Sequence, residues 1–380
     1  MTNQGSPAFA DPLHVGRPNI GNRQNFTQRV DDILTTRWLT NGGKYVDEFE
    51  RRVADFVGVE HCIAICNATT AMGIALHALG VRGEVIVPSF TFVATANVLQ
   101  WQGIKPVFCD IDPHTYNLDP GQIERLITPA TSAILPVHVF GRSCDVEALT
   151  RIASERRLRL LFDSAHAFGC SYRGEMIGRF GDAEVLSFHA TKVINSMEGG
   201  AVVTNNGELA RRIRLMKNFG FTHYDEIDEI GINGKMPEVC AAMGLTTFEE
   251  MPEIVEINRR NLKAYKEGLS TLDGISVIEY EPGESHNYHY VVIEIDPEIA
   301  PLHRDELLAV LHAQNVLARR YFWPGCHRME PYRSLYPLAY LSLPETERVA
   351  ARVLTLPTGQ TITPEIIQVI CDIIRTSFER

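Results

Sequence analysis

The sequence predicts an α/β protein with a mostly parallel central sheet in a large domain, followed by a smaller α+β domain. Short apolar runs rich in β-branched residues recur through the first two thirds of the chain. They lack the polar alternation of half-exposed strands, which is typical of strands buried on both faces of a sheet. Helical patterns separate several of these runs, and that alternation is typical of parallel sheets.

The predicted elements of the large domain alternate between strands and helices. Seven strands are expected at residues 61–66, 84–88, 105–110, 132–137, 158–163, 183–188 and 200–204. Helices are expected at 70–79, 93–102 and 145–156. Gly80 and Gly103 follow the first two helices, and glycine is common just after a helix ends.

The last third of the chain has a different pattern. Its elements are expected as a helical stretch over 237–272 broken at Pro252, strands at 275–280 and 288–295, and a helix at 304–314. Thr363 and Pro364 mark the start of a final helix, as N-cap and first helical residue. We therefore predict an N-terminal arm at 1–19, a large domain at 20–245 and a small domain at 246–380.

Composition excludes several classes of protein. The 380 residues are 45% hydrophobic and 22% charged, with 36 basic and 47 acidic side chains and a net charge of −11. This balance is typical of globular proteins and disfavours non-specific binding to nucleic acid or anionic lipid. The eight cysteines form no disulfide framework, residues 1–20 lack an apolar signal region, and no apolar run reaches the length of a membrane span. We expect a cytoplasmic protein.

Four polar segments stand out, and the first three directly follow predicted strands, where open α/β sheets bind ligands. They are residues 67–70, 163–166, 187–192 with the turn 198–200, and 233–236. The first, Asn-Ala-Thr-Thr at a helix start, is a candidate phosphate seat or an ordinary N-cap. The last contains an Asn-Gly pair that could be a plain turn.

Lys192 and Asp163 are the candidate reactive groups. Burial at a strand end would lower the pKa of Lys192 and favour a neutral nucleophile, whereas a surface loop would leave it an ordinary lysine. Asp163 could serve a metal, a ribose or a protonated ring nitrogen, or it could cap the next turn. Together with a phosphate seat, the pair fits pyridoxal phosphate, which needs a lysine, a carboxylate at its ring nitrogen and a phosphate cup.

Further motifs occur with these segments in one order along the chain. They are residues 38–42, 67–70, 88–94, 137–141, 163–166, 187–192, 198–200, 233–236 and 319–327. In this set and order the chain, from about Arg17 to about Ile374, resembles the DegT/DnrJ/EryC1/StrS aminotransferases. These are sugar aminotransferases of the fold-type I pyridoxal-phosphate class.

The resemblance implies roles for individual residues. Lys192 matches the lysine that bonds covalently to the cofactor and moves the proton, and Asp163 matches the carboxylate on the pyridine nitrogen. His166 falls near the phenolic oxygen of the cofactor, and Phe92 at the aromatic position that stacks on its ring.

Further matches concern the phosphate and the substrate. Ala68, Thr69 and Ser187 match phosphate contacts. Asn233 matches an asparagine that reaches the phosphate of a neighbouring subunit, which implies a homodimer with shared active sites. We expect Arg319, Tyr321 and His327 to line the substrate site, and we predict no metal site.

The resemblance also implies a reaction. Residues 187–192 with Asn195 and Ser196 are most similar to members that aminate C4 of a nucleotide-linked 4-keto-6-deoxyhexose. We predict ping-pong transfer of an amino group from L-glutamate to C4 of such a sugar, with dTDP as the nucleotide. The phosphate loop differs from the commoner Ser-Gly-Thr, and residues 193–197 differ from a commoner glycine-bearing version.

Alternatives remain at this point. A 3-keto-sugar aminotransferase of the same family and a regulatory protein that binds the cofactor without turnover both stay open. A dehydrase of the family would carry His where Lys192 stands. A Rossmann oxidoreductase would need a G-x-G-x-x-G motif after the first strand, and Gly174, Gly178 and Gly181 have the wrong spacing.

Overall fold

The structure is a computed structural model that describes residues 6–379. Within this range the α-helices are α1 (Arg23–Thr36), α2 (Lys44–Val57), α3 (Ala68–Ala78), α4 (Ala94–Trp101), α5 (Val146–Arg156), α6 (Gly207–Met216), α7 (Glu238–Glu249), α8 (Met251–Leu269), α9 (Arg304–Ala313), α10 (Tyr332–Leu335), α11 (Pro344–Arg352) and α12 (Pro364–Phe378). None of them is both long and apolar enough to cross a membrane.

The strands are short and distributed over the whole chain. They are β1 (Leu13–His14), β2 (His61–Ile65), β3 (Glu84–Pro88), β4 (Lys105–Cys109), β5 (Thr131–Ile134), β6 (Arg159–Asp163), β7 (Ser171–Tyr172), β8 (Glu175–Met176), β9 (Ala183–Ser187), β10 (Gly200–Thr204), β11 (Phe221–His223), β12 (Glu226–Ile227), β13 (Ile275–Val277), β14 (Val291–Ile295), β15 (Val316–Leu317) and β16 (Val353–Leu356).

A seven-stranded central sheet confirms the predicted α/β fold. Its strand order is β2-β10-β9-β6-β5-β3-β4, and every neighbouring pair is parallel except those that involve β10. All seven strands predicted from apolar runs belong to it. The side chains of β9 and β10 are buried along their whole length, as expected for strands covered by helices on both faces.

The strand order places two sequence-predicted segments side by side. β6 and β9 are parallel neighbours, so their carboxyl ends, Asp163 and Ser187, lie at the same edge of the sheet. α3 packs against β9 and β10 and begins at Ala68. The polar segments that follow different strands in the sequence therefore meet at one edge.

The C-terminal third builds a second, three-stranded sheet. Its order is β13-β14-β16, fully antiparallel, with α8, α9 and α12 packed around it in a separate hydrophobic core. Thr363 caps α12 by accepting the Ile366 N–H, as the sequence predicts. The predicted boundary at 245/246 falls inside α7, which packs on α1 and α2, so the exact division of the chain stays a prediction.

Three expectations about single strands need correction. β13 ends at Val277, so the strand predicted at 275–280 is shorter than expected. β5 ends at Ile134 and does not reach 137, because the chain turns toward a 3-10 helix at Val139–Gly141. β14 begins only at Val291, and residues 286–290 form irregular chain ahead of it. That irregular segment carries side chains into the cavity described below.

A cluster of charged side chains hydrogen-bonds to backbone groups of β2 at the outer edge of the central sheet. β2 is an edge strand, and Glu50 of α2 accepts the Ala64 N–H at 2.8 Å. The same carboxylate binds Arg214 at 2.6 Å and Lys217 at 2.9 Å, while these two cations donate to the carbonyls of Cys62 and Ala64. Glu50 and Lys217 are largely buried, so the charge of each requires the opposite charge of the other to offset the cost of burial.

We predict that Glu50→Leu lowers the free energy of unfolding by about 3 kcal/mol, because it leaves Lys217 and the Ala64 N–H buried without their partner. The midpoint of urea unfolding of the apoprotein, at one protein concentration, measures this. Glu208→Gln removes an exposed pair with Arg211 and should cost less than about 1 kcal/mol. Equal losses in the two variants would contradict the assignment.

Candidate active site

A cavity of about 300 Å³ opens at the carboxyl ends of β6 and β9. Eight of the sequence-predicted site residues line it: Ala68, Thr69, Phe92, Asp163, His166, Ser187, Lys192 and Tyr321. They come from five separate segments of the chain. The fold therefore brings together groups that the sequence could only place at the ends of different elements.

Lys192 lies in the loop between β9 and β10, with its amine inside the cavity. Burial lowers the pKa of this amine to about 8, although the negative charge of Asp163 acts in the opposite direction. A substantial fraction of the lysine is therefore neutral and nucleophilic near pH 8. Of the two interpretations that the sequence leaves open for Lys192, the structure favours the desolvated lysine over the surface residue.

Asp163, the last residue of β6, presents its carboxylate to the same cavity. One oxygen accepts the hydroxyl of Thr95 at 2.8 Å, and the other accepts the Ala165 N–H at 3.1 Å. Burial raises the pKa of Asp163, while these hydrogen bonds and the Lys192 charge favour the ionised form. The carboxylate is thus held rigidly and can receive a cationic N–H from a bound ligand.

The start of α3 forms another wall of the cavity. Asn67 is its N-cap, and its side chain accepts the Thr70 N–H at 2.8 Å. The first N–H groups of a helix have no partner within it, so those of Ala68 and Thr69 are available to an anion. A Cβ on Gly200 would lie 2.4 Å from the Ala68 nitrogen, so only glycine lets β10 pass this close to the helix start.

Aromatic and imidazole rings form a further wall. His166 stacks on Phe322, with ring centroids 5.7 Å apart and an interplanar angle of 0°. Burial lowers the pKa of His166 well below its usual range, and its Nδ1 accepts the Phe140 N–H. The ring is therefore neutral with its proton on Nε2. Phe92 remains 58% exposed beside the cavity, and its ring is free to contact a ligand.

Three predicted site residues lie outside the cavity wall. Arg319 is exposed and its guanidinium rests over the Tyr321 ring. His327 is buried, and its ring hydrogen-bonds to Ser89 at 2.6 Å and to Glu347. It therefore lies outside the cavity that we expected it to line. Asn233 is exposed and is not among the residues that line the cavity of its own chain.

Other cavity residues were missed in the sequence. They are Val15 and Gly16 of the N-terminal arm, Thr95 of α4, His289 and Tyr290 ahead of β14, and Phe322. A cluster of polar and aromatic residues at 286–290, just before an apolar run, is a signal that could have indicated His289 and Tyr290. Thr95 lies on an apolar helix and carries no such signal.

We predict that a neutral amine-reactive reagent labels Lys192 of the apoprotein with a pH midpoint of about 8. Below this pH the amine is protonated and unreactive. The exposed Lys44, whose pKa is raised by its hydrogen bond to Asp32, is the internal control and should label only at higher pH. Asp163→Asn should move the Lys192 midpoint lower, since it removes the charge that stabilises the ammonium. Peptide mass spectrometry reads both sites, and equal midpoints for the two lysines would refute the assignment.

The chain is similar to known proteins over almost its full length, both in sequence and in structure. The chain is 39% identical to a dTDP-4-amino-4,6-dideoxy-D-glucose transaminase of Shigella dysenteriae, over 96% of this chain and 98% of the relative. It is 35% identical to a transaminase of the same name from Escherichia coli, over 93% and 96%. A solved structure of DesI in the presence of its TDP-sugar product superposes with a TM-score of 0.94 at 49% identity, covering 99% of this chain and 95% of that one.

The match to a whole family is equally extensive. Residues 21–375 match the DegT/DnrJ/EryC1/StrS aminotransferase family, which is nearly the entire described chain. A match of this length, with relatives above 30% identity over almost their full length, shows that the chain belongs to the DegT/DnrJ/EryC1/StrS family of pyridoxal-phosphate-dependent aminotransferases.

Proposed function

We propose that this enzyme transfers an amino group from L-glutamate to C4 of a dTDP-linked 4-keto-6-deoxyhexose. The observation that carries the proposal is the single cavity in which a desolvated lysine, a buried carboxylate and a helix N-terminus converge. The sugar and its nucleotide are supported by the names of the two transaminase relatives and by the TDP-sugar product of DesI. Glutamate as donor is supported by the family resemblance.

The residues of the cavity fit pyridoxal phosphate. Its phosphate needs N–H and hydroxyl donors, which Ala68, Thr69 and Ser187 offer at the α3 end. Its ring nitrogen needs a carboxylate, which Asp163 offers from a hydrogen-bonded position. When bound, pyridoxal phosphate supplies the electron sink that stabilises the carbanion formed at the substrate.

Lys192 performs the proton transfer in this proposal. Its Nζ would hold the cofactor and, as a free amine, would take up and return the α-proton of the amino donor. The lowered pKa of Lys192, about 8, suits this role because the amine must be free to accept a proton near neutral pH. The same Nζ would deliver the proton in the second half of the ping-pong cycle, where the keto sugar is the acceptor.

The surrounding residues orient the ring and its charges. Asp163 would keep the ring nitrogen protonated, because its buried carboxylate would pair with the N–H cation. His166 can donate its Nε2 proton to the phenolic oxygen, since Nδ1 already accepts a backbone N–H. Phe92 would offer an aromatic face to the ring, and Tyr321 lines the same cavity.

We predict that wild-type holoenzyme changes its visible absorption when L-glutamate is added and releases one equivalent of 2-oxoglutarate. In Lys192→Ala the single-turnover rate should fall by about 10²–10⁴-fold, because the general base is lost. Stopped-flow absorbance with quantified 2-oxoglutarate measures both. The matched control is Lys105→Ala, which removes an exposed lysine paired with Glu84.

Several outcomes would contradict these assignments. A wild-type rate in Lys192→Ala would remove the lysine from the proton transfer. A holoenzyme that ignores glutamate would exclude this donor. For the acceptor, the loaded enzyme is mixed with dTDP-linked 4-keto and 3-keto sugars and the product is identified by NMR. Amination of the 3-keto sugar alone would exclude C4 transfer.

We further propose a homodimer with shared active sites. An apolar groove of about 550 Å³ borders the cavity, and Thr69 lines both. Trp101 and Ile230 line this groove and are 92% and 81% exposed, an unusual exposure for such large apolar side chains. Asn233 follows on the same segment as Ile230. A second copy seated on this face would bring its Asn233 toward the phosphate end of the cavity.

We predict that Trp101→Glu shifts the chain from dimer toward monomer, because a buried charge would replace an apolar contact. Ile299→Glu, on an exposed apolar residue outside the groove, should leave the dimer intact. Asn233→Ala should also remain dimeric but bind pyridoxal phosphate about tenfold more weakly, as for the loss of a hydrogen bond to a charged group. Sedimentation velocity and equilibrium dialysis test these outcomes. A monomeric wild type, or unchanged retention in Asn233→Ala, would overturn the shared site.

We infer a reducing compartment, the cytoplasm, as the location of the enzyme. All eight cysteines are free thiols, and six of them are buried. Free thiols in this number persist where disulfides are kept reduced.

A further inference from the structure

Tyr290 approaches the reactive lysine from the second sheet. It stands just before β14, and its hydroxyl lies 3.4 Å from Lys192 Nζ. Among residues 6–379 the Tyr290 hydroxyl is the only hydrogen-bond partner of Lys192 Nζ, and Nζ is the only partner of that hydroxyl. The contact joins an element of the C-terminal third to the loop after β9.

The Tyr290 ring is fixed independently of its hydroxyl. It is 7% exposed and packs on the rings of His166 and Phe140, with centroids 4.9 and 5.4 Å away. The Tyr290 carbonyl accepts the hydroxyl of Tyr280 at 2.9 Å. Loss of the Tyr290 hydroxyl alone would therefore leave the ring in place, so the oxygen can be tested separately from the packing.

A phenol hydroxyl suits both protonation states of the amine. It can donate to neutral Nζ and accept from the ammonium, whereas a carboxylate could only accept. Burial also raises the pKa of Tyr290, so it stays a neutral partner throughout the pH range in which Lys192 titrates. The other titratable groups around this pair are Asp163, His166, Tyr280, His289 and Tyr321.

We propose that Tyr290 is a positioning residue for transamination, whose hydroxyl holds Nζ of Lys192 in reach of the substrate carbon while the amine is not bonded to the cofactor. This inference rests on the proposed function of Lys192 as the proton carrier. A displaced lysine has several freely rotating bonds, and one fixed partner restricts it to the geometry from which it can take the proton.

The first test uses the apoprotein, without cofactor or substrate. Tyr290→Phe should lower the pH midpoint for labelling Lys192 by about half to one pH unit, because the hydroxyl stabilises the ammonium more than the neutral amine. Tyr265→Phe is the matched control, since it removes a buried hydroxyl that bonds the Pro357 carbonyl outside the cavity. Its midpoint should equal that of the wild type. A wild-type midpoint in Tyr290→Phe would overturn the contact.

The second test uses the holoenzyme. In Tyr290→Phe the single-turnover rate with L-glutamate should fall by about 10–100-fold while KM changes less than about twofold, since positioning of the base is lost and donor binding is kept. An equal loss in Tyr265→Phe, or a loss entirely in KM, would refute the proposed role. If the wild type itself does not react with glutamate, the proposed function fails, and the labelling midpoint still decides whether Tyr290 holds the lysine.

Discussion

The site depends on one electrostatic arrangement, the burial of Lys192 and Asp163 at the same edge of a parallel sheet. Burial alone penalises both charges, which is why the lysine pKa falls to about 8 and that of the aspartate rises. Their opposite charges and the hydrogen bonds of Thr95 and Ala165 limit that penalty. The result is an amine near neutrality facing a fixed carboxylate, without the full cost of two unpaired buried ions.

The sheet is the framework that makes this arrangement possible. β6 and β9 are parallel neighbours, so their carboxyl ends lie side by side at the same edge of the sheet. β10 runs antiparallel beside β9, and Gly200 lets it pass against the start of α3. The helix N-terminus thereby reaches the same edge as the lysine and the carboxylate. A helix N-terminus, an amine and a carboxylate are thus placed at one cavity by backbone packing.

The C-terminal third completes the cavity from the other side. Tyr290, His289, Tyr321 and Phe322 all come from segments beyond α8. Val15 and Gly16 of the N-terminal arm close a further part of the wall, and β1 of that arm pairs with β15 of the C-terminal third. A site built from both ends of the chain requires that the whole molecule be folded before the lysine is desolvated.

The sequence by itself indicated the seven strands of the central sheet and the polar residues at their ends, because apolar runs and turn residues act over short distances. It also identified the family, since ordered motifs need no coordinates. It could not place His327 outside the cavity or Thr95 and Tyr290 inside it. Those positions depend on which strands become neighbours and how the second sheet packs on the first, and such contacts join residues far apart in the chain. Only the tertiary structure decides them.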